Sequence, residues 1–182
     1  MKKKSIYSAL CVMMLLMSQP MMAGKKMGAY LVTFFNDPTH SLFMAVSYDG
    51  YTFTAVNDGK PVIGGDSIAA QRGIRDPHIY RAPNGMFYIA MTDLHVFGKQ
   101  RGLRTTQWER EDKYGWGNNR GLVLMKSKDL IHWTHTEVFV NEAFPENFGE
   151  LGCAWAPQTI WDPAVGKLMV YFTIRHEKTV LS

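Results

Sequence analysis

An eight-residue pattern occurs twice in this chain, and it confines the sequence around it to hairpins. Ser47-Tyr48-Asp49-Gly50-Tyr51-Thr52-Phe53-Thr54 stands against Ser127-Lys128-Asp129-Leu130-Ile131-His132-Trp133-Thr134. Each copy has Ser, Asp two residues on, an aromatic four after that, and then Thr. The runs before and after each turn are rich in aromatic and apolar residues, so each copy predicts a tight turn between two antiparallel strands.

The same order of elements surrounds both turns. The first copy predicts strands over Tyr30 to Phe35, Ser41 to Ser47 and Tyr51 to Val56, with a polar loop Asn36 to His40 between the first two. The second predicts a strand opened by Arg75-Asp76-Pro77-His78 and running to Arg81, a Pro83-Asn84-Gly85 turn, and strands over Phe87 to Thr92, Gly121 to Ser127 and about Trp133 to Val140. A third begins at Trp155-Ala156-Pro157-Gln158, where Pro157 answers Pro77 eighty residues earlier, and continues through an Asp162 to Gly166 turn into Lys167 to Thr173. Loop lengths differ between copies, so part of the eighty-residue agreement is accidental, but the strand order is not. Four-stranded antiparallel units in tandem predict an all-β fold of the β-propeller type, with a β-sandwich as the competing architecture. The expected count is about nine strands, two blades and a fraction, which makes the propeller incomplete.

The N-terminus has the zones of a secretory signal peptide. Lys2, Lys3 and Lys4 are followed by an apolar run from Ile6 to Met17 and a small-residue cleavage site ending at Ala23. The run is too short to span a bilayer. The expected organisation is a signal peptide over residues 1–23 and a partial propeller domain over 24–182, exported to the periplasm or outside the cell, with no membrane attachment after cleavage. Loss of the three lysines and no acid lowers the formal net charge from +4 to +1, so the basic pI argues little for nucleic acid. Cys153 is the one cysteine of that mature chain, and no Cys/His spacing suits a metal. Neither metal nor cofactor is expected.

Antiparallel connectivity sorts the loops by end. Asp76 to His78, the loop Asp93 to Asn119, Trp155 to Gln158 and the segment after Ile174 all fall at one end; the tight turns at Asp49, Asn84, Asp129 and Val165 fall at the other. Proline restricts the residue before it to extended geometry and needs no ladder hydrogen bond, so Asp76 is expected at a strand entrance in extended conformation. An Asp-Pro pair alone is a turn starter. Its surroundings are rings beside Asn, Arg, His and carboxylates, which suit a sugar with apolar C–H faces and hydroxyls. The candidate substrate-binding residues are His78, Asp93, His95, Trp116, Asn118, Arg120, Trp155, Gln158, Arg175 and His176.

These motifs resemble glycoside hydrolase family 43, the five-bladed propeller enzymes that include arabinofuranosidases, β-xylosidases and arabinanases. The resemblance rests on Arg75-Asp76-Pro77-His78, on Trp116-Gly117-Asn118-Asn119-Arg120-Gly121 leading to Ser127-Lys128-Asp129-Leu130, on Trp133-Thr134 and on Trp155-Ala156-Pro157-Gln158, and spans about Tyr30 to His176. It implies an inverting hydrolase of arabinosides or xylosides, acting on oligosaccharide or polysaccharide, with Asp76 as general base. Gln158 stands where the family often has Asp, leaving a neutral side chain. The family's second Asp and its Glu acid would lie beyond Ser182, and none of Glu142, Glu146, Glu150 or Glu177 falls in a matching motif. On that resemblance the chain is expected to be shortened before its acid and inactive as it stands, with unpaired strand edges that favour self-association. A non-catalytic carbohydrate-binding propeller fragment is the alternative, and a repeat protein without a sugar ligand a third.

Overall fold

The computed structural model describes residues 28–103 and 119–175. Among the described residues, nine strands form three antiparallel sheets in tandem. The first holds β1 (Tyr30–Phe34), β2 (Phe43–Ser47) and β3 (Thr54–Ala55), in that order. The second holds β4 (Ile74–Arg81), β5 (Phe87–Asp93), β6 (Gly121–Ser127) and β7 (Trp133–Phe139), each hydrogen-bonded to the next. Two helical turns, α1 (Val140–Ala143) and α2 (Pro145–Phe148), lead to the third sheet, formed by β8 (Cys153–Asp162) and β9 (Lys167–Arg175).

The fold is all-β and propeller-like, as the strand pattern predicts. The leading strand of each later sheet packs against the sheet before it: β4 lies against β1, and β8 lies against both β4 and β5. β1 therefore relates to β4 as β5 relates to β8, which makes β1 the second strand of its unit.

The paired turns owe their likeness to one hydrogen-bond pattern. Asp49 accepts the backbone N–H groups of Tyr51 and Thr52, both at 2.8 Å, while Ser47 accepts that of Gly50. Asp129 accepts those of Ile131 and His132, and Ser127 accepts that of Leu130. Donors around Asp49, Thr52 first and then Tyr51, hold its carboxyl below the usual carboxylate range; at Asp129 the His132 side chain does most of this, followed by the backbone. The third residue after each Ser takes a left-handed backbone, at Gly50 (φ 80°) and Leu130 (φ 67°). A shared backbone geometry thus tolerates Gly in one copy and Leu in the other.

Apolar burial joins the units. Leu42 and Met44 from the first sheet meet Ile74, Ile89, Met91, Val123 and Met125 from the second in one core. A second core of Leu122, Val140, Leu151 and Ala154, flanked by Phe148, Val170 and Phe172, ties the second sheet through α1 and α2 to the third. Cys153 is buried, which pushes its thiol up to about 11.

Two local expectations are corrected. The strand expected over Tyr51 to Val56 is the two-residue β3, because the Asp49 turn holds Tyr51 and Thr52 and the chain then leaves for two 3-10 turns, Asn57–Gly59 and Gly65–Ser67. β2 begins at Phe43, two residues later than expected, since Leu42 instead bridges Ile63. The polar loop Asn36 to His40 forms as expected, and its last residue, His40, is fully buried.

The second 3-10 turn sits where no side chain fits. A methyl group on Gly65 would lie 2.0 Å from the His40 carbonyl oxygen and 2.9 Å from the Ile74 nitrogen, the two groups whose hydrogen bond seats the start of β4. Gly65→Ala is expected to cost on the order of 2–4 kcal/mol of stability through forced backbone movement. Gly28→Ala, which meets nothing within 4 Å, should be near neutral. Urea melts of the two variants check this, and equal midpoints would be inconsistent with the packing at Gly65.

Candidate active site

Proline at position 77 removes a donor from β4, and the β4–β5 ladder is interrupted there, between Arg75 and His78. Asp76 occupies the gap with φ 51°, a left-handed conformation costly for a residue with a Cβ and more so before proline. The extended geometry expected for Asp76 is thus replaced by a β-bulge, and the reason is tertiary. β8 repeats the irregularity between Trp155 and Gln158, with Ala156 at φ 47° before Pro157. Asp76-Pro77 and Ala156-Pro157 are equivalent bulges on neighbouring leading strands, and bulges commonly re-aim a side chain.

Threonines from all three sheets hold the Asp76 bulge. From β1, the Thr33 hydroxyl donates to the Pro77 carbonyl at 3.1 Å. From β5, the buried Thr92 hydroxyl donates to Asp76 Oδ2 at 3.0 Å and accepts the Ala156 N–H at 2.8 Å. From β8, the Thr159 backbone N–H donates to His78 Nδ1 at 3.2 Å. A backbone N–H only donates, so Nδ1 is the acceptor and the neutral ring carries its proton on Nε2. Burial lowers the His78 pKa, which agrees with a neutral ring.

The two bulges border a cavity of about 390 Å³, lined by Arg75, Asp76, Thr92, Leu94, Val96, Trp155, Ala156 and Thr173. That is within the size range of small-ligand sites. Asp76 is its one carboxylate among the described residues. Trp155 supplies an aromatic wall, and its Nε1–H donates to Asn119 Oδ1 at 2.7 Å. A larger cleft of about 540 Å³ runs between the faces of the second and third sheets, where Leu124, Met125, Leu168 and Val170 contribute apolar packing surface and no carboxylate. The smaller cavity is the chemically equipped one.

Arg75 is fixed from behind. Its guanidinium donates to Asp37 at 2.9 Å, stands 4.6 Å above the Phe35 ring and contacts His40 Nε2 at 3.3 Å. His40 stacks on His95 with centroids 4.0 Å apart. Burial, then His95, then Arg75 lower the His40 pKa to about 4, against a smaller upward pull from Asp37. A neutral His40 can accept from Arg75, whereas a protonated one would repel it.

The sequence-derived candidates divide. Asp76 and Trp155 share the cavity. Asp93 and Arg120 line a different one of about 240 Å³ with Gln71, Phe139, Asn141 and Glu142, and Asp93 Oδ1 accepts the Gln71 N–H. His95 is buried and stacked on His40, and His78 lies between sheets. Gln158 is exposed on β8 and accepts from the Tyr171 hydroxyl, while Arg175 ends β9 opposite Cys153. Trp116, Asn118 and His176 lie outside the described residues. Thr92, Arg75, Leu94 and Val96 line the cavity without having been candidates; the alternation of β5, which sets Thr92 opposite Arg75, was the available signal for Thr92. Among the described residues, no group of three His, Cys, Asp or Glu side chains is placed to hold a metal ion.

Comparison with known proteins agrees with the motif resemblance. A family model described as "Probable glycosyl hydrolase domain", related to glycoside hydrolase family 43, matches residues 25–179. The match covers most of the chain, and the chain belongs to that family. An alpha-L-arabinofuranosidase of Bifidobacterium longum subsp. longum is 29% identical over 128 residues, 70% of this chain and 11% of that protein. The chain thus spans about a tenth of the length of the curated relative it matches.

The depressed His40 pKa has a consequence for stability. Unfolding restores the ordinary value of 6.5, so between about pH 6.5 and pH 4 the unfolded chain binds more protons than the folded one. His40 therefore makes its full contribution above pH 6.5, and that contribution is lost as pH falls towards 4. His40→Asn, with a residue that tolerates the left-handed backbone at this position (φ 49°), should flatten this part of the stability profile. Melting temperatures from pH 4 to 8 measure it, and an unchanged slope would assign the acid sensitivity to another group.

Proposed function

We propose that this member of the glycoside hydrolase 43-related family takes part in hydrolysis of O-glycosidic bonds in arabinosides or xylosides, with inversion and with Asp76 as general base. The observation that carries this reading is the Asp76 carboxylate, displayed by a strained bulge into a cavity walled by Trp155. Strain of this kind persists only where surrounding contacts over-determine it, and it concentrates at functional sites.

In the proposed step, Asp76 takes a proton from a water whose oxygen attacks the anomeric carbon. The glycosidic C–O bond breaks as a carboxylic acid about 6.5–9.5 Å from the base protonates the departing oxygen. Asp76 suits the basic half. The ring of Trp155 offers an apolar surface for the C–H face of a sugar, and Arg75 offers guanidinium donors for its hydroxyls. The arabinofuranosidase likeness and the family membership support the substrate class.

Kinetics on p-nitrophenyl α-L-arabinofuranoside and β-D-xyloside with the full-length protein test the assignment. Asp76→Asn should lower kcat by about 10²–10⁴ with a smaller effect on KM. Trp155→Ala should weaken binding of a pentose oligosaccharide in calorimetry, while Asn84→Ala, in the turn at the far end of β4, should leave it unchanged. Undiminished turnover by Asp76→Asn would remove that residue from the mechanism. Binding without turnover in the wild type would instead favour a non-catalytic carbohydrate-binding role.

Export is part of the same proposal and is supported by the Lys2 to Ala23 pattern. N-terminal sequencing of protein recovered from the periplasm or medium should begin near Gly24; an intact Met1 start would exclude signal cleavage.

A further inference from the structure

A buried hydroxyl with one proton and two hydrogen-bonding neighbours has its direction decided by the neighbour that cannot accept. Thr92 Oγ1 receives the Ala156 N–H at 2.8 Å, and that donor can be nothing else. The bulge in β8 leaves the Ala156 N–H outside the β8–β9 ladder, and this hydroxyl takes up that backbone donor. The Thr92 proton is then directed to Asp76 Oδ2, 3.0 Å away. To an ionised carboxylate a hydroxyl can only donate.

We infer that Thr92 is the positioning residue for Asp76, holding Oδ2 by a charge-assisted hydrogen bond so that Oδ1 is presented to the attacking water. The inference rests on the reading of Asp76 as general base, and adds to it the residue through which two sheets align that base. Ala156 N–H, Thr92 O–H and Asp76 form a directed chain that links the two bulges. Thr92 lies near the end of β5, paired on one side with Arg75 and on the other with Leu122, and is fully buried, so its hydroxyl has a fixed origin. A group held this way contributes to rate by orientation.

The test compares Thr92→Val, Thr92→Ser and Asp76→Asn in the full-length protein, with kcat and KM measured on the two p-nitrophenyl pentosides. Thr92→Val is expected to lower kcat by about tenfold to a hundredfold while KM stays within about twofold. Thr92→Ser, which keeps the hydroxyl, should restore the rate. A merely structural role would leave Thr92→Ser as impaired as Thr92→Val, or raise KM as kcat falls, and either result would overturn the inference. Wild-type kcat in Thr92→Val beside an inactive Asp76→Asn would likewise overturn it and leave the general-base reading standing. Full activity in Asp76→Asn would instead overturn the general-base reading, and the inference with it. Should Thr92→Val melt below the assay temperature, Thr92→Cys replaces it, its thiol being a weaker donor of nearly the same size, and the same split between kcat and KM decides.

Discussion

The structure around the site depends on a strained Asp-Pro bulge held by threonines from three separate sheets. Thr33, Thr92 and Thr159 reach Pro77, Asp76 and His78 from β1, β5 and β8 respectively. A left-handed residue before proline costs on the order of 1–3 kcal/mol, and hydrogen bonds from its own sheet and the two flanking ones are what make that conformation the stable one here. Because each contact comes from a different sheet, the geometry of Asp76 reports the alignment of all three. The apolar cores between the sheets set that alignment, and the polar contacts read it out at one carboxylate.

The same device appears twice with different cargo. Ala156 adopts the left-handed conformation of Asp76 and precedes a proline in the same way, yet it carries no functional side chain. Its bulge contributes a backbone N–H to Thr92 and brings Trp155 to the cavity wall. One repeat element thus displays a carboxylate in the second sheet and serves as a support in the third. Repeated units allow this division, since backbone geometry is inherited by position while the side chain at each position is free to differ.

Behind the cavity a second layer is built from charge and rings. Asp37 and Phe35 hold the Arg75 guanidinium, and the buried His40–His95 stack closes the space beneath it. Burial keeps His40 neutral through the ordinary working range, so its ring accepts from the guanidinium and adds no positive charge beside it. Gly65 and Gly73 permit this layer: a side chain at Gly65 would strike the His40 carbonyl, and one at Gly73 would strike the Cβ atoms of both histidines.

By itself the sequence determined the strand order, the three tandem units, the two Ser-x-Asp turns and the family, because these rest on local periodicity and on side chains bonding within three residues of themselves. Asp76 and Trp155 were legible as well, through their prolines and their place on leading strands. Only the tertiary structure decided which polar residues meet. Asp93 and His95 belong to the same rich loop as far as sequence can tell, yet one goes to a separate cavity and the other under a buried histidine. Thr92 looks like an ordinary strand residue, and its role arises from a donor sixty-four positions away. The left-handed turn of Asp76 contradicts the local preference of a residue before proline, which is overridden by contacts from three sheets. Local chemistry fixes what forms along the chain, whereas contacts between units, made at long sequence separation, fix where each side chain points.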